Sequence, residues 1–504
     1  MLLGLKKQQI LKMPERKYVL NPHQYIESIL LVDALTSGFY TKHPADFVYV
    51  NRDNNTYTDS FLSKLYPDAC FSHDPLGLAD SSKNPGALQT DIPSNSVHYM
   101  YIGENISFYN ESERTEIYRF IQDKLVPGGY VVIPYEATVG WSEYRVVLDL
   151  LKEINTNVKE DITSAAWLDK IFYELEDLAV KKIYTFKGKE FLNKLLYYLK
   201  SLNQEHLNNI LCKKDFHTFY PYQIHQYLKQ DSQYSFRFVG ALPLIRNYVK
   251  LGLDAQQKAF LGETTDLMMA SQRQDLISMP FHRVDIWQKN VDEVSEKGTI
   301  SDFYFGCVST FDQFPLKITK SHFTLNFMDA VYVHLRKLFN KRFMTIQEIV
   351  ENTQHLVRAP QEIVDRVMLL VMGDQVRYTL TNPLTSVNAI AYQPSQKIKF
   401  KHLENQEMFS DPKRFYTEMG IVMYHKAGML IPFDQKTSMV IAAFTKVHES
   451  LVPQYCAEIW AGYIIENIDM VAVEKEFRSI LLFFKRHYLG KFLELGLLDQ
   501  VLVE

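Results

Sequence analysis

Cysteine is scarce in this sequence, and its few copies are widely spread. The 504 residues contain 4 cysteines, at positions 70, 212, 307 and 456, and no Cys-x-x-Cys pair. A zinc ribbon or a thiol redox centre needs closely spaced cysteines, so neither is predicted. Scattered single thiols are typical of chains that stay in a reducing compartment, and we therefore expect a cytoplasmic protein.

Long apolar runs and a strong charge of either sign are also lacking. No stretch approaches the roughly 18 consecutive apolar residues of a transmembrane helix, and the N-terminal segment has no signal-peptide core, so we expect no membrane partner. The formal net charge of -4 argues against general nucleic-acid binding. The short motifs of serine hydrolases, zinc proteases and P-loop proteins are absent as well.

The first 150 residues alternate between strand-like and helix-like patterns. Short apolar runs at 47–50, 70–73, 97–102 and 130–135 lie between polar turns, which is typical of buried strands. The segment Asn110–Leu125 has acids in its first turn and helical spacing of its apolar residues, so it predicts a helix. Alternation of this kind predicts an α/β fold with a doubly wound, Rossmann-like sheet.

The rest of the chain is dominated by helical patterns. Thr345 and Glu348 form a capping box that predicts the start of a helix, and a second helix is predicted at Pro360–Val371. Further helices are predicted at 480–489 and 492–501. The doubly wound sheet is therefore expected to be followed by mainly helical C-terminal domains.

The length of the chain exceeds what one compact core can hold. Changes of pattern predict a Rossmann-like domain at 20–150, a helical regulatory or middle domain at 151–300, a winged-helix-like module at 301–390 and a helical C-terminal domain at 391–504. Residues 382–396 are rich in Asn, Pro, Ser and Thr and are a candidate linker.

An acidic residue follows the second predicted strand, where a nucleotide-type ligand would bind. Ligands of doubly wound sheets bind beyond the carboxyl ends of the strands, at the point where the strand order reverses. Asp74 ends the second strand and lies 23 positions after Asn51, which follows the first. An acid at this place suits the ribose hydroxyls of an adenosyl cofactor.

The turn after the first strand contains no glycine. None occurs between Gly38 and Gly77, and the predicted turn offers Asn51, Asp53, Asn54 and Asn55 instead. Asn and Asp tolerate left-handed backbone angles, but each Cβ would crowd a cofactor where glycine leaves room. Two interpretations stay open: a modified cofactor-binding turn and an ordinary surface turn.

Five segments together carry a family resemblance. They are Val97–Phe108, Leu125–Leu148 with its Pro-Gly-Gly turn and downstream Gly-Trp, Asp215–Gly240, Ser278–Trp287 and Phe343–Gln375. In combination they resemble bacterial S-adenosylmethionine-dependent methyltransferases that carry a methyltransferase regulatory domain. Rickettsial protein-lysine methyltransferases share this layout. The resemblance therefore implies S-adenosylmethionine as the cofactor and a protein side chain such as lysine as the acceptor.

The resemblance also implies roles for individual residues. Asp74 would bind the ribose, Asp91 would lie beside the adenine, and Glu104 would face the transferred methyl group. The implied cofactor-binding residues are Asn51, Asp53, Asn54, Asp74, Asp91 and Gly103, and the implied catalytic or acceptor-pocket residues are Glu104, Tyr135 and Trp141.

Other functions are also compatible with the sequence. The loss of glycine from the cofactor turn favours a catalytically inactive scaffold that binds a protein partner, and a homodimer is one assembly left open. A DNA-binding regulator using residues 340–375 is less favoured, because acids balance the basic residues there. His217 and His225 lie eight positions apart without a neighbouring acid cluster, so no metal site is predicted.

Overall fold

The structure, a computed structural model, describes part of the chain. The described residues are 47–50, 71–73, 92–102, 105–142, 144–145, 149, 173, 193–195, 197–199, 207, 210, 216–230, 235–248, 253–262, 266–289, 303–309, 316–320, 323–357, 359–373, 375–379, 396–416, 420–424, 429–463 and 469–502. Among them, residues 47–50 and 72–289 form one compact unit and residues 303–502 form another.

The first unit contains a sheet in which six described strands take part. They are β1 Phe47–Val50, β2 Phe71–His73, β3 Val97–Ile102, β4 Leu125–Glu136, β5 Phe236–Leu242 and β6 His282–Lys289. Their order is β2-β1-β3-β4-β6-β5. Strand β3 is parallel to β1 and β4, whereas β6 is antiparallel to β4 and β5. The strand order reverses between β1 and β3, so the predicted doubly wound α/β sheet is confirmed.

Helix α1, Glu111–Lys124, packs on this sheet and starts where the sequence predicts. The Asn110 side chain accepts a hydrogen bond from the Glu113 amide at 3.0 Å, and the Glu113 carboxylate accepts one from the Asn110 amide at 2.8 Å. This capping box satisfies two amides that the helix itself leaves unpaired. The buried face of α1 joins apolar side chains of β3 and β4 in one core. The other α-helices whose bounds the structure describes in this unit are α2 Thr138–Trp141, α3 Pro221–Lys229, α4 Ala255–Leu261 and α5 Leu267–Ser278.

The second unit begins with short strands and three helices. Strand β7 Tyr304–Gly306 pairs with β10 Met344–Thr345 and β11 Arg377–Thr379, and β8 Lys317–Lys320 pairs with β9 Phe323–Asn326. The helices are α6 Ala330–Lys341, α7 Ile346–Thr353 and α8 Pro360–Met372. The predicted capping box at the start of α7 is confirmed. The boundaries of the predicted domains, including the winged-helix-like module, stay a prediction.

The last hundred residues are mainly helical and also contain four described strands. The helices are α9 Leu403–Met408, α10 Gln435–Lys446, α11 Val452–Ala461, α12 Met470–Phe484, which continues as a π-helix at Lys485–Leu489, and α13 Gly490–Glu494. The strands are β12 Gln396–Phe400, β13 Gly420–Tyr424, β14 Met429–Phe433 and β15 Leu498–Leu502. Within the described part of the chain, no helix has both the length and the apolar character needed to cross a membrane.

The prediction of a helix at 492–501 is wrong over the second half of that range. Gly496 has a φ of 68°, the left-handed conformation that commonly ends a helix. Beyond it, Leu498–Leu502 is a strand that pairs antiparallel with Gln396–Phe400. The last residue of the candidate linker, Gln396, is therefore also part of a strand.

Candidate active site

Three strand ends meet at one edge of the sheet. Strands β3 and β4 are parallel and end at this edge, at Ile102 and Glu136. The antiparallel strand β6 begins there, and its first residue, His282, is paired in register with Glu136. This is the edge at which doubly wound sheets bind their ligands, so side chains here are the first candidates for a functional site.

A buried carboxylate lies at the centre of this edge. The Glu136 residue is 1% exposed. Its carboxylate accepts hydrogen bonds from Trp141 Nε1 at 2.6 Å, Asn105 Nδ2 at 2.7 Å and the Tyr198 hydroxyl at 3.0 and 3.1 Å, and it lies 3.2 Å from His282 Nδ1. Buried carboxylates are rare unless they are paired, and this one has four neighbours from four different segments. We call Glu136 and these neighbours, Asn105, Trp141, Tyr198 and His282, the Glu136 cluster.

The loop after β3 fixes the position of Glu136. The Asn105 side-chain oxygen accepts a hydrogen bond from the Ser107 amide at 3.0 Å, which directs the amide nitrogen of Asn105 towards Glu136. The Ser107 hydroxyl accepts one from the backbone amide of Glu136 at 2.9 Å. The Glu136 carbonyl accepts one from the Phe219 amide at 2.9 Å. Both the backbone and the side chain of Glu136 are therefore held rigidly.

The hydrogen-bonding neighbours of Glu136 include strong donors. Burial, with a further contribution from Glu136, raises the pKa of the Tyr198 phenol, so its hydroxyl is a donor at neutral pH. The indole of Trp141 can only donate. The two carboxylate oxygens of Glu136 accept all of these hydrogen bonds.

The imidazole of His282 is buried on one side and open on the other. Its Nδ1 faces the Glu136 carboxylate, while 38% of the side-chain surface is exposed. Its backbone carbonyl accepts a hydrogen bond from the Arg246 guanidinium at 3.1 Å, which fixes the start of β6. The described residues offer no hydrogen-bond partner to Nε2 of this ring.

Aromatic rings surround the buried side of the cluster. The ring of Trp141 lies 4.9 Å from Phe281, 5.4 Å from Phe216 and 5.7 Å from Tyr198, and Tyr198 stacks on Phe281 at 4.5 Å. Trp141 is 1% exposed and belongs to the core, with its indole nitrogen turned to Glu136. Its predicted part in an acceptor pocket stays a prediction.

Tyr135 has a different environment, because successive residues of a strand point to opposite faces. Its hydroxyl donates to Asp285 at 2.5 Å, in a buried network in which Arg283 contacts both Asp285 and Asp275. Burial raises the pKa of Tyr135 well above its usual value, so it remains a protonated donor. The predicted role of Tyr135 in an acceptor pocket is untested, and the contacts of its hydroxyl lie on the far face of the strand from the Glu136 carboxylate.

The other predicted site residues lie outside the described residues. These are Asn51, Asp53, Asn54, Asp74, Asp91, Gly103 and Glu104. His217 does not share a helix with His225, because the helix begins at Pro221, and His225 Nε2 lies 2.9 Å from the Phe236 carbonyl oxygen. The described part of the chain brings together no group of three or more potential metal ligands.

The sequence carried a signal for two site residues, Glu136 and His282, that the sequence analysis did not predict. Glu136 is an acid at the end of a strand, the same pattern that identified Asp74. His282 lies within the segment Ser278–Trp287 that carries the family resemblance. Nothing in the sequence places Tyr198 beside them, because 62 residues separate it from Glu136.

Comparison with known proteins supports the same type of fold. No family model matches the chain. An uncharacterized protein of Synechocystis sp., sll1526, is 24% identical over 231 residues, which cover 42% of this chain and 44% of that relative. The chain therefore aligns with less than half of that relative's length. Among solved structures, PKMT2 from Rickettsia typhi is similar over 93% of this chain and 98% of its own, with a TM-score of 0.55 and 12% identity.

The complex of PKMT2 with AdoHcy gives a TM-score of 0.59 at 11% identity, over 95% of this chain and 98% of that one. The chain has a methyltransferase fold. The similarity to the rickettsial protein-lysine methyltransferase PKMT2 confirms the resemblance that the sequence predicts. At this level of identity it shows the fold, and the activity has to be argued from the site.

Proposed function

We propose that this protein is an S-adenosylmethionine-dependent methyltransferase that modifies a protein side chain such as lysine. The observation that carries the proposal is the position of the Glu136 cluster, at the carboxyl edge of a sheet whose strand order reverses between β1 and β3. PKMT2, a protein-lysine methyltransferase solved with AdoHcy, supports both the cofactor and the class of acceptor.

The strand ends fit the proposed cofactor. Val50 of β1 is paired with Ile102 of β3, and β2 lies on the other side of β1. The last residues of β1 and β3, Val50 and Ile102, are therefore neighbours at the reversal of strand order, where a doubly wound sheet binds its ligand. An adenosyl cofactor bound there would supply an activated methyl group, with Asp74 and Asp91 available for its ribose and adenine.

The acceptor side of the reaction needs little covalent chemistry. Methyl transfer from a sulfonium requires an in-line arrangement and a nucleophile that has lost its proton. The Glu136 cluster lies at the ends of β3 and β4, beside the position where the loop containing Gly103 and Glu104 begins. We propose that Glu104 and Trp141 contribute to the acceptor side of this site.

Calorimetric titration with S-adenosylmethionine and S-adenosylhomocysteine tests the cofactor. We expect micromolar binding that weakens by about tenfold or more, ~1.4 kcal/mol, in the Asp74→Ala variant. Asp149→Ala is the matched control. Asp149 is exposed, and its ion pair with the exposed Arg145 is long, at 3.9 Å, so its loss should have little effect. A well-folded wild-type protein that binds neither compound would contradict the proposal.

An inactive scaffold that binds a protein partner is the second candidate. The observation that favours it is the glycine-free turn at Asn51–Asn54, since each Cβ would narrow the space for the cofactor. Substituting glycine at Asn54 should then create or strengthen cofactor binding if the turn is what prevents it. If the natural sequence binds S-adenosylhomocysteine tightly and the substitution at Asn54 leaves that affinity unchanged, the observation that favours this candidate is lost.

A further inference from the structure

We infer that His282, oriented by Glu136, is the general base that removes a proton from the acceptor amine. The inference rests on the proposed function, because it needs an amine acceptor at the carboxyl edge of the sheet. It assigns His282 as a catalytic residue that touches the acceptor and Glu136 as a positioning residue that acts through it.

The first step of the argument concerns the tautomer of His282. Nδ1 lies 3.2 Å from a carboxylate oxygen of Glu136 and 3.3 Å from the Asn105 amide nitrogen. That amide nitrogen can only donate, and it donates one of its two hydrogens to Glu136. The carboxylate can only accept, and it is the closer of the two groups, so we assign the proton to Nδ1. The lone pair of the neutral ring then lies on Nε2.

The second step concerns access. Glu136 is 1% exposed and is surrounded by donors, so it cannot itself meet an acceptor side chain. The side chain of His282 is 38% exposed. No described residue forms a hydrogen bond with its Nε2. The buried carboxylate thus holds the ring from behind and leaves one basic nitrogen at the surface of the site. Many unrelated enzymes hold a histidine base in this way, with a carboxylate or amide group behind the ring and the nucleophile in front of it.

The third step is the balance of the reaction. A lysine acceptor arrives as an ammonium, and Nε2 of His282 takes one of its protons. The imidazolium that forms is stabilised by the Glu136 carboxylate at Nδ1. The lone pair of the free amine forms the new N–C bond to the methyl carbon while the C–S bond breaks and its electron pair stays on sulfur. The product is a methylated ammonium, and Nε2 returns its proton to solvent.

Nitrogen chemical shifts of the histidine rings test the orientation without any turnover. In full-length protein labelled with 15N-histidine, above the pH at which the ring loses its charge, His282 should show a protonated Nδ1 and an unprotonated Nε2. Its signals are assigned by their loss in His282→Asn. Glu136→Gln should shift the ring towards the Nε2-protonated tautomer. An Nε2-protonated ring in the wild-type protein would overturn the inference.

Kinetics with poly-L-lysine as the acceptor test the chemical role. His282→Asn should lower kcat by about 100-fold or more, the typical contribution of a general base. KM and the affinity for S-adenosylhomocysteine should stay within about threefold of wild type, because the ring acts on the proton and not on binding. Added imidazole should restore part of the rate. His98→Asn is the control, since His98 is exposed and lies at the amino end of β3.

The outcomes separate the two proposals. Absence of S-adenosylhomocysteine binding in the wild-type protein refutes the proposed function and the base with it. Binding that persists together with full turnover in His282→Asn refutes the base alone. Wild-type protein that binds S-adenosylhomocysteine but transfers nothing to poly-L-lysine also counts against an amine-directed base. His282→Asn keeps the test valid even if Glu136→Gln fails to fold, because the histidine ring is only partly buried.

Discussion

Arg283 is a fully buried cation whose partners are also buried. Its guanidinium contacts Asp275 and Asp285, and it donates to the Ser271 hydroxyl at 2.9 Å. Burial opposes its charge, but Asp285, Tyr135 and Asp275 raise the pKa of Arg283 well above its usual value. Such a network holds β6 against α5 only as long as every charge has its partner.

Removing this cation should therefore be strongly destabilising. We expect Arg283→Met to lower the free energy of unfolding by about 3–5 kcal/mol, because two buried carboxylates lose their partner. Urea denaturation followed by circular dichroism measures the loss. Arg237→Met is the control, since Arg237 is exposed and donates to the neutral Gln288 side chain. Equal losses in the two variants would contradict this explanation.

Cys307 is a buried thiol in a residue that is 1% exposed. Burial raises the pKa of Cys307 to about 12, and its thiol lies 3.3 Å from the Gln375 carbonyl oxygen. A raised thiol pKa means that the reactive thiolate appears only as the pH approaches that value. At pH 8 the thiolate fraction is then about one in 10⁴, against roughly a quarter for a free cysteine.

Alkylation with iodoacetamide at pH 8 should accordingly leave Cys307 unmodified in the folded protein. The same residue should react fully in guanidinium chloride, where the thiol regains its ordinary pKa. Peptide mapping by mass spectrometry measures both. Rapid modification of Cys307 in the native protein would show that this part of the second unit opens readily.

At the scale of the elements, the short helix α2 depends on one glycine. A Cβ on Gly140 would lie 1.9 Å from the Pro280 carbonyl oxygen and 2.7 Å from the Phe281 amide. Both atoms belong to backbone that leads into His282, and Trp141 follows Gly140 directly. This close approach allows Trp141 and His282 to contact the same Glu136 carboxylate.

Gly140→Ala should therefore damage both stability and the site. We expect a loss of about 1–3 kcal/mol or more from the forced movement of backbone, measured by denaturant unfolding. The His282 nitrogen shifts should change in parallel. Gly490→Ala is the matched control: nothing lies within 4 Å of its added Cβ, and in a helix alanine is favoured by up to about 1 kcal/mol. A neutral Gly140→Ala would show that α2 can move without cost.

At the scale of the whole molecule, two of the apolar clusters formed by described residues have no residue in common. One contains Phe120 with side chains of β3, β4 and α3, and the other contains Phe484 with side chains of the last hundred residues. No residue belongs to both clusters as described. Large-to-small substitutions in the two should therefore act independently.

Matched Phe→Ala substitutions test this division. Phe120→Ala and Phe484→Ala should each cost about 3–5 kcal/mol, because each ring is almost completely buried. Scanning calorimetry of the single and double variants measures the losses. We expect the double variant to equal the sum within about 0.5 kcal/mol. A clear departure from additivity would show that the two clusters are energetically coupled.

The sequence alone determined those elements whose signals are local. The strands at Phe47–Val50 and Val97–Ile102 and the helix Glu111–Lys124 occur where they are predicted, because apolar spacing and a capping box act over a few residues. The strand–helix alternation was enough to predict the doubly wound sheet. The family resemblance, which also depends on short segments, predicted a methyltransferase fold.

Only the tertiary structure decided which side chains share the candidate site. Glu136, Asn105 and His282 come together because parallel strand ends and the start of an antiparallel strand meet at one sheet edge, and Tyr198 reaches them from a distant segment. The strand Leu498–Leu502 was missed for the same reason: its partner, Gln396–Phe400, lies about a hundred residues earlier. Contacts between residues distant in sequence leave no periodic pattern, since each strand or loop looks ordinary until its partner is known.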